Sequence, residues 1–364
     1  MIRFNHEYAA AERVRVGYLG CGDHSFRNVL PCFRYAPVEL VAVCDRQEQR
    51  AVAFARQFGA QGYFTDYEDM LEQCKLDAVF IVIGAGEEGY PYAPLAVQAL
   101  EAECHVFTEK PPANTVAEVE QVRAAEERSG KFWMVGLKKV FFPAVARARE
   151  IARRPEFGRL TSVYARYPQS LPLTRGERQD PRKMRGFLDH LVHPASLLYA
   201  VGGEMAGVRF SLDPAGGSTS VIRFAGGALG TLHLVAGISG TSPLERLEIV
   251  GEGENVVVDN GVRLTHYRCG GRGEGGYGRA GDFLGPDEAA PVVWEPEFSL
   301  GQLYNSGLFL LGYAPEVLYF CRCVQEGRRP EMANSDWALA LMRLYEAYQG
   351  DEDEWRVVSG DRAQ

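Results

Sequence analysis

The chain has 364 residues, 46% of them hydrophobic and 24% charged, with a formal net charge of −9. This composition excludes a disordered or fibrous protein, and the length exceeds what one core ordinarily serves, so two domains are expected. The acidic balance and the lack of a long basic block exclude a general nucleic-acid binder and disfavour an anionic membrane surface. No run approaches the roughly 20 apolar residues of a membrane helix, and Met1 to Glu12 lacks a signal-peptide core. The eight cysteines, Cys21, Cys32, Cys44, Cys74, Cys104, Cys269, Cys321 and Cys323, form no CxxC pair. They read as reduced, mostly buried thiols, which implies a cytoplasmic protein.

In chain order, residues 14–20 read as a short apolar strand ending in Gly20-Cys21-Gly22, with a helical stretch from about Arg27. A second strand, Val38 to Cys44, runs into Asp45. A helix from Gln47 to Phe58 stops at Gly59. Leu76 to Ile83 is apolar on both faces, as in a buried parallel sheet. Helix Ala93–Ala102, strand Cys104–Thr108, helix Thr115–Ser129 and strand Phe132–Val135 continue the alternation. That is the signature of a doubly wound α/β domain. After about Gly136 strands follow one another: 160–167, 207–212, 218–224, 228–235, 246–251 and 255–259, with turn signals such as Asp259-Asn260-Gly261. They predict an antiparallel sheet in a second domain. Residues 269–290, rich in glycine and charge, read as a long mobile loop. Helical patterns return at about 308–326 and 336–348. The expected division is 1–136 and 137–364, with a C-terminal helix able to pack back on the first domain.

The fingerprint Gly20-x-Gly22-x-x-Ser25 follows a strand and precedes a helical stretch. The first glycine permits the tight turn, and the second lets backbone approach a pyrophosphate resting on the helix N-terminus. Ser25 stands where a third glycine normally eases helix–strand packing. Asp45, 20 residues past Ser25, is placed to accept hydrogen bonds from the adenosine ribose, which favours NAD. Arg46 beside it leaves NADP open. The alternative is a plain turn with Asp45 capping a helix.

Three further residues suit hydride chemistry. Lys110, in Thr108-Glu109-Lys110-Pro111-Pro112, ends a parallel strand at the edge where ligands bind. Asp189 and His193 are four apart. Pro194, best tolerated in a first turn, suggests that a helix begins near His193 with Asp189 on the approach. Oxidising a secondary alcohol requires removal of the hydroxyl proton, for which an imidazole is suited, and His193 is the candidate general acid/base. Lys110 is the candidate cation for the developing alkoxide. Asp189 would orient the imidazole or accept a substrate hydroxyl. The structural alternatives are a helix-start histidine, a solvated lysine and a bracing aspartate. His190-x-x-His193 lacks further ligands at a telling spacing, so no metal is expected. Cys321-x-Cys323 reads as packing.

The chain resembles the Gfo/Idh/MocA family of nicotinamide-dependent oxidoreductases, through GYLGCGDHS, VAVCDRQEQRAVAFARQFG, FTEKPPA, MVGLKKVFFPA, the Asp189–His193 pair, GGALGTLHLVAG and ERLEIVGEGENVVVD. These pieces run from about residue 14 to about 350. The resemblance implies an N-terminal Rossmann domain, a doubly wound parallel sheet, joined to a C-terminal α+β domain with a large, mostly antiparallel open sheet. It implies a nicotinamide cofactor held by Gly20, Cys21, Gly22, Asp23, His24, Asp45, Arg46, Ile83, Gly84, Glu109 and Lys110. It implies a sugar or cyclic polyol substrate met by Tyr92, Lys138, Lys139, Asp189 and His193, with Lys110, Asp189 and His193 around the reacting carbon. Three departures stand out. Ser196 replaces a carboxylate common after the histidine. The loop AGEEGYPY is longer than usual, with Tyr90 and Tyr92 as a possible stacking surface or simple packing. The segment Pro168 to Arg185 is basic, with Arg182, Lys183 and Arg185 either solvated or facing an anionic substrate group.

The expected function is an NAD-dependent dehydrogenase acting on a secondary hydroxyl or keto group of a sugar, glycoside or cyclic polyol. An NAD-assisted glycoside hydrolase or lyase and a non-catalytic sugar or dinucleotide sensor are the alternatives. An exposed face of the C-terminal sheet would make the protein a homodimer or homotetramer.

Overall fold

The computed structural model describes residues 3–269, 290–296 and 306–359. The 269–290 segment read as a loop therefore lies almost wholly outside the described residues. The chain divides into two compact units, Met1–Lys138 with Gly307–Glu346, and Lys139–Ser306 with Ala347–Gln364.

The first unit is built on six parallel strands: β1 (Val14–Leu19), β2 (Val38–Cys44), β3 (Gly62–Phe64), β4 (Ala78–Ile81), β5 (His105–Glu109) and β6 (Trp133–Gly136). Their order is β3-β2-β1-β4-β5-β6. β4 is buried along its whole length, which is why its sequence is apolar without alternation. Phe80 lies 4.8 Å from Phe107 and 5.0 Å from Phe320, ring centre to ring centre. Phe320 belongs to the returning helix Tyr313–Glu326, so the end of the chain completes this core. Helix Val116–Ser129 starts where the Thr115 hydroxyl accepts the Glu118 amide at 3.2 Å, and it stops at Gly130, at φ 68°. Two elements escape the periodicity reading because they are short: β3, with three residues, and helix Tyr67–Gln73, with seven.

The helical stretch expected from Arg27 is not an α-helix. Ser25–Val29 is a π-helical turn, and Leu30–Tyr35 continues as a 3-10 helix. Pro31 has no N–H to donate into an α ladder, and its ring crowds the carbonyl four residues back.

Among the described residues the second unit carries nine strands: β7 (Leu160–Tyr167), β8 (Met205–Leu212), β9 (Ser218–Phe224), β10 (Leu229–Leu234), β11 (Arg246–Gly251), β12 (Asn255–Asp259), β13 (Arg263–Tyr267), β14 (Val292–Trp294) and β15 (Arg356–Val357). They form one sheet in the order β14-β13-β12-β11-β7-β10-β9-β8-β15. All neighbours are antiparallel except β7 and β10, which run parallel. β9 alternates buried and exposed residues strictly, the mark of a sheet covered on one face. Helix Pro181–Gly202 packs on β7 and β10, and helix Pro143–Ile151 on β12 and β13.

Helix Pro181–Gly202 is continuous through Pro194, which corrects the expectation of a helix start near His193. Its start lies at Asp180, whose carboxylate accepts the Arg182 amide at 2.9 Å, with Pro181 in the first turn. The apolar face Met184, Leu188, Leu191, Ala195 and Leu198 is buried, and that burial outweighs the one ladder bond lost at Pro194.

His105 opens β5. Its Nδ1 accepts the Phe132 amide at 3.2 Å, and the two rings lie 4.0 Å apart. Burial, with Lys131 nearby, pushes its pKa from 6.5 down to about 4. The folded state thus holds the neutral ring, and the associated stability is present above about pH 6.5 and lost as pH falls through about 4. The thermal midpoint should fall across this window, and His105→Asn, which keeps the acceptor but not the base, should flatten the decline. An unchanged pH slope in the variant would remove His105 from this account.

Candidate functional site

In the first unit the ends of β1, β2 and β4 enclose a cleft of about 580 Å³. Parallel pairing brings these ends together, Leu19 beside both Cys44 and Ile81. Gly20, Cys21, Gly22, Asp45, Arg46, Ile83 and Gly84 line the cleft. Gly20 has φ +107°, and a Cβ there would lie 2.1 Å from the Val82 carbonyl oxygen. The turn therefore requires glycine. At Gly22 nothing stands within 4 Å of where a Cβ would be, so its backbone faces open space.

Asp45 ties the loop to β2. One carboxylate oxygen accepts the Cys21 amide at 2.9 Å, and the other accepts the Gln47 amide at 2.9 Å. Ser25, fully buried, donates its hydroxyl to the Gly20 carbonyl at 2.7 Å. That bond explains the missing third glycine: the side chain that would have crowded the turn is bonded into it. A bare backbone at Gly22 beside a fixed carboxylate fits the pyrophosphate and ribose of a dinucleotide. Arg50, Asp66 and Leu95 also line the cleft and escaped the sequence reading. Arg50, four residues past Arg46, carried a signal, whereas Asp66 and Leu95 come from elements that only the fold brings to this edge.

Asp23 is exposed and lines an adjoining hollow with Cys21, Gly22 and Arg50. His24 and Glu109 meet each other, Nε2 to Oε1 at 3.0 Å. Glu109 also accepts the Lys110 amide at 3.1 Å. Lys110 itself follows directly on the carboxyl end of β5.

Tyr92 does not offer the stacking surface considered for it. It is 1% exposed, and its hydroxyl donates to the Ile83 carbonyl at 2.6 Å, so it packs the loop. Lys138 has its ammonium 2.6 Å from the Tyr313 hydroxyl, within the first unit.

In the second unit, the continuous helix sets Asp189 and His193 one turn apart on one face. Asp189 is half-buried, His193 is 7% exposed, and His190 points outward. The Tyr167 ring, from the last residue of β7, lies 6.1 Å from that of His193. Burial raises the Tyr167 pKa, with Glu245 and Asp189 adding to it. Lys139 is not an open substrate contact. It is 7% exposed, ion-paired with Glu245, and its ammonium stands 4.8 Å from the centre of the Tyr167 ring. Burial lowers its pKa against the opposing pull of Glu245. Lys183 in the basic segment pairs with Glu177 at 2.8 Å.

Gly22→Ala should fold as the parent does, because the added methyl meets nothing, yet bind NADH roughly tenfold or more weakly, because that methyl occupies the pyrophosphate's approach. Titration of NADH fluorescence reads this directly, and unchanged affinity would remove Gly22 from the nucleotide site.

Residues 14–137 match the oxidoreductase family described as having an NAD-binding Rossmann fold, Gfo/Idh/MocA. The chain is 35% identical over 106 residues to a dTDP-3,4-didehydro-2,6-dideoxy-alpha-D-glucose 3-reductase of Saccharopolyspora spinosa, covering 29% of this chain and 30% of that protein. It is 32% identical over 132 residues to the inositol 2-dehydrogenase of Salmonella typhimurium, covering 36% of this chain and 38% of that protein. These matches span about a third of the relatives' length. In structure the chain is similar to levoglucosan dehydrogenase solved with NADH, at a TM-score of 0.74 and 19% identity, covering 95% of this chain and 99% of that one. With its 3-2-1-4-5-6 parallel sheet and open glycine loop, the first unit is an NAD-binding Rossmann fold, and residues 14–137 of the chain match the Gfo/Idh/MocA oxidoreductase family there.

Proposed function

We propose that the protein is an NAD-dependent oxidoreductase that moves a hydride between nicotinamide and a secondary hydroxyl or keto group of a sugar, glycoside or cyclic polyol. The observation that carries this reading is a dinucleotide cradle in the same unit as a lysine at the carboxyl end of β5, in a chain whose second unit sets Asp189 and His193 on one helix face. The reductase and dehydrogenase named above act on compounds of this class, which supports the choice of substrate.

Bound NAD supplies the hydride acceptor or donor. Gly20, Cys21 and Gly22 hold its pyrophosphate, and Asp45 receives the adenosine ribose. Arg46 lies close enough to the cleft to admit NADP as a poorer alternative. His193 removes the hydroxyl proton as general base and returns it in the reverse direction. Lys110 supplies a cation for developing alkoxide charge. Asp189, one turn before His193, orients the imidazole or receives a neighbouring hydroxyl.

We place the enzyme in a reducing cytoplasm, a reading supported by its eight free cysteines. Among the described residues no helix is long and apolar enough to cross a membrane. We also propose a homodimer or homotetramer built on the open face of the second unit's sheet, where Val221 and Leu229 are exposed. Light scattering of the purified protein checks this, and a monomer at micromolar concentration would overturn it.

The activity is tested by following nicotinamide absorbance with NAD and with NADP against sugars, inositols and glycosides. Reduction by one class with NAD supports the reading. Cleavage of glycosides without net reduction replaces it with an NAD-assisted hydrolase. His193→Ala and Lys110→Ala should each lower turnover by about 10²-fold or more with NADH affinity nearly unchanged. Near-parental turnover in either variant would take that residue out of the mechanism.

A further inference from the structure

One cluster in the first unit forms a hydrogen-bonded chain that leads to Lys110 and that the steps above do not use. It joins three elements at the carboxyl edge of the parallel sheet: the nucleotide loop, the end of β5 and the returning helix Tyr313–Glu326. Asn28 places its amide nitrogen 3.2 Å from Nδ1 of His24. An amide N–H donating there leaves the ring proton on Nε2, which then donates to Glu109 Oε1 at 3.0 Å. The other Glu109 oxygen accepts the Lys110 backbone amide at 3.1 Å. The Tyr313 ring meets the imidazole edge to face, with centres 5.6 Å apart.

Glu109 is 6% exposed and packed against Gly136 of β6, where a Cβ would come within 3.3 Å of its carboxyl carbon. A carboxylate in such a place is held by its hydrogen bonds, and losing one leaves a buried acceptor unsatisfied. His24 differs: its side chain is 41% exposed, so burial does not explain a ring bonded on both nitrogens. The histidine stands two residues past Gly22, at the foot of the loop that receives the pyrophosphate. The bonds therefore run without interruption from Asn28 through His24 and Glu109 to the amide of Lys110.

We propose that His24 is a positioning residue for Lys110, acting through Glu109, so that the nucleotide loop and the lysine are set by one hydrogen-bonded chain. This rests on the reading of Lys110 as the cation that meets the developing alkoxide. Docking of the dinucleotide on Gly20–Gly22 steadies the backbone that carries His24, and the imidazole passes that order to the lysine's main chain.

The test compares His24→Leu, which removes the bond to Glu109, with His24→Gln, whose amide can restore a donor at the position of Nε2. In the leucine variant kcat should fall about tenfold or more, and by a clearly larger factor than any rise in the NADH dissociation constant, as expected when a reacting group is misplaced beyond what cofactor binding accounts for. The glutamine variant should recover most of the loss. A second readout needs no substrate: acetylation of the Lys110 amine by acetic anhydride, quantified by mass spectrometry with and without NADH. In the parent NADH should change this rate. In His24→Leu the change should shrink below about twofold, and in His24→Gln it should return. Leucine-variant protein that turns over and labels as the parent does overturns the proposal, as does a glutamine variant no better than leucine. A parent silent toward every sugar would sink the proposed activity alone, and the labelling would still decide on His24. If His24→Leu does not fold, Asn28→Leu frees Nδ1 with the imidazole in place. Partial loss of the NADH effect then supports the chain, and parental labelling overturns it.

Discussion

The arrangement of the first unit depends on parallel strand pairing in register. Parallel strands all end at the same edge, so the segments that follow them are forced together whatever their separation in sequence. Leu19 stands beside Cys44 and Ile81, and Ile81 beside Thr108. Gly20, Asp45, Val82 and Glu109 are therefore neighbours at one rim, although they span 90 residues. The bond from Cys21 to Asp45 closes that rim between β1 and β2, and the His24–Glu109 bond links the same loop to β5. A glycine at position 20 is required because the loop passes against the Val82 carbonyl.

The second unit solves a different problem. Its helix Pro181–Gly202 carries both Asp189 and His193 and must lie on the sheet with one face buried. Pro194 costs the helix one hydrogen bond. Burial of Leu188, Leu191, Ala195 and Leu198 keeps the helix continuous through that loss. Lys139 and Glu245 form a nearly buried pair under Tyr167. Removing either partner would leave a charge without compensation, so the pair reads as a structural clamp beside Tyr167.

How much was legible beforehand depends on how local the cause was. The nucleotide loop could be read directly, since a strand, two glycines at fixed spacing and a later aspartate each have a local reason. β7, β9, β11 and β12 could be read from short strand-like runs following one another between turn residues. The return of Phe320 to the first core followed only from the family resemblance and helical patterning. β3 and helix Tyr67–Gln73 are too short to show a period. The π turn at Ser25–Val29 and the continuous helix at Pro194 show the two fates of proline. In the first, Pro31 just beyond the turn has no N–H for an α ladder and the chain tightens into a 3-10 helix. In the second, a long apolar face overrides it.

By itself the sequence determined the alternating Rossmann pattern, the glycine loop with its carboxylate, and the candidate trio Lys110, Asp189 and His193. Each of these rests on residue type and short-range spacing. Only the tertiary structure decided which lysines and tyrosines are open. Lys139 went to Glu245 and Tyr92 to the Ile83 carbonyl, because a long polar side chain is claimed by whichever partner the fold brings within reach. The fold likewise made Ser25 a substitute for the third glycine and His24 a partner of Glu109. Those contacts join residues whose separation in the chain carries no signal, and only the packing of strands and loops brings them together.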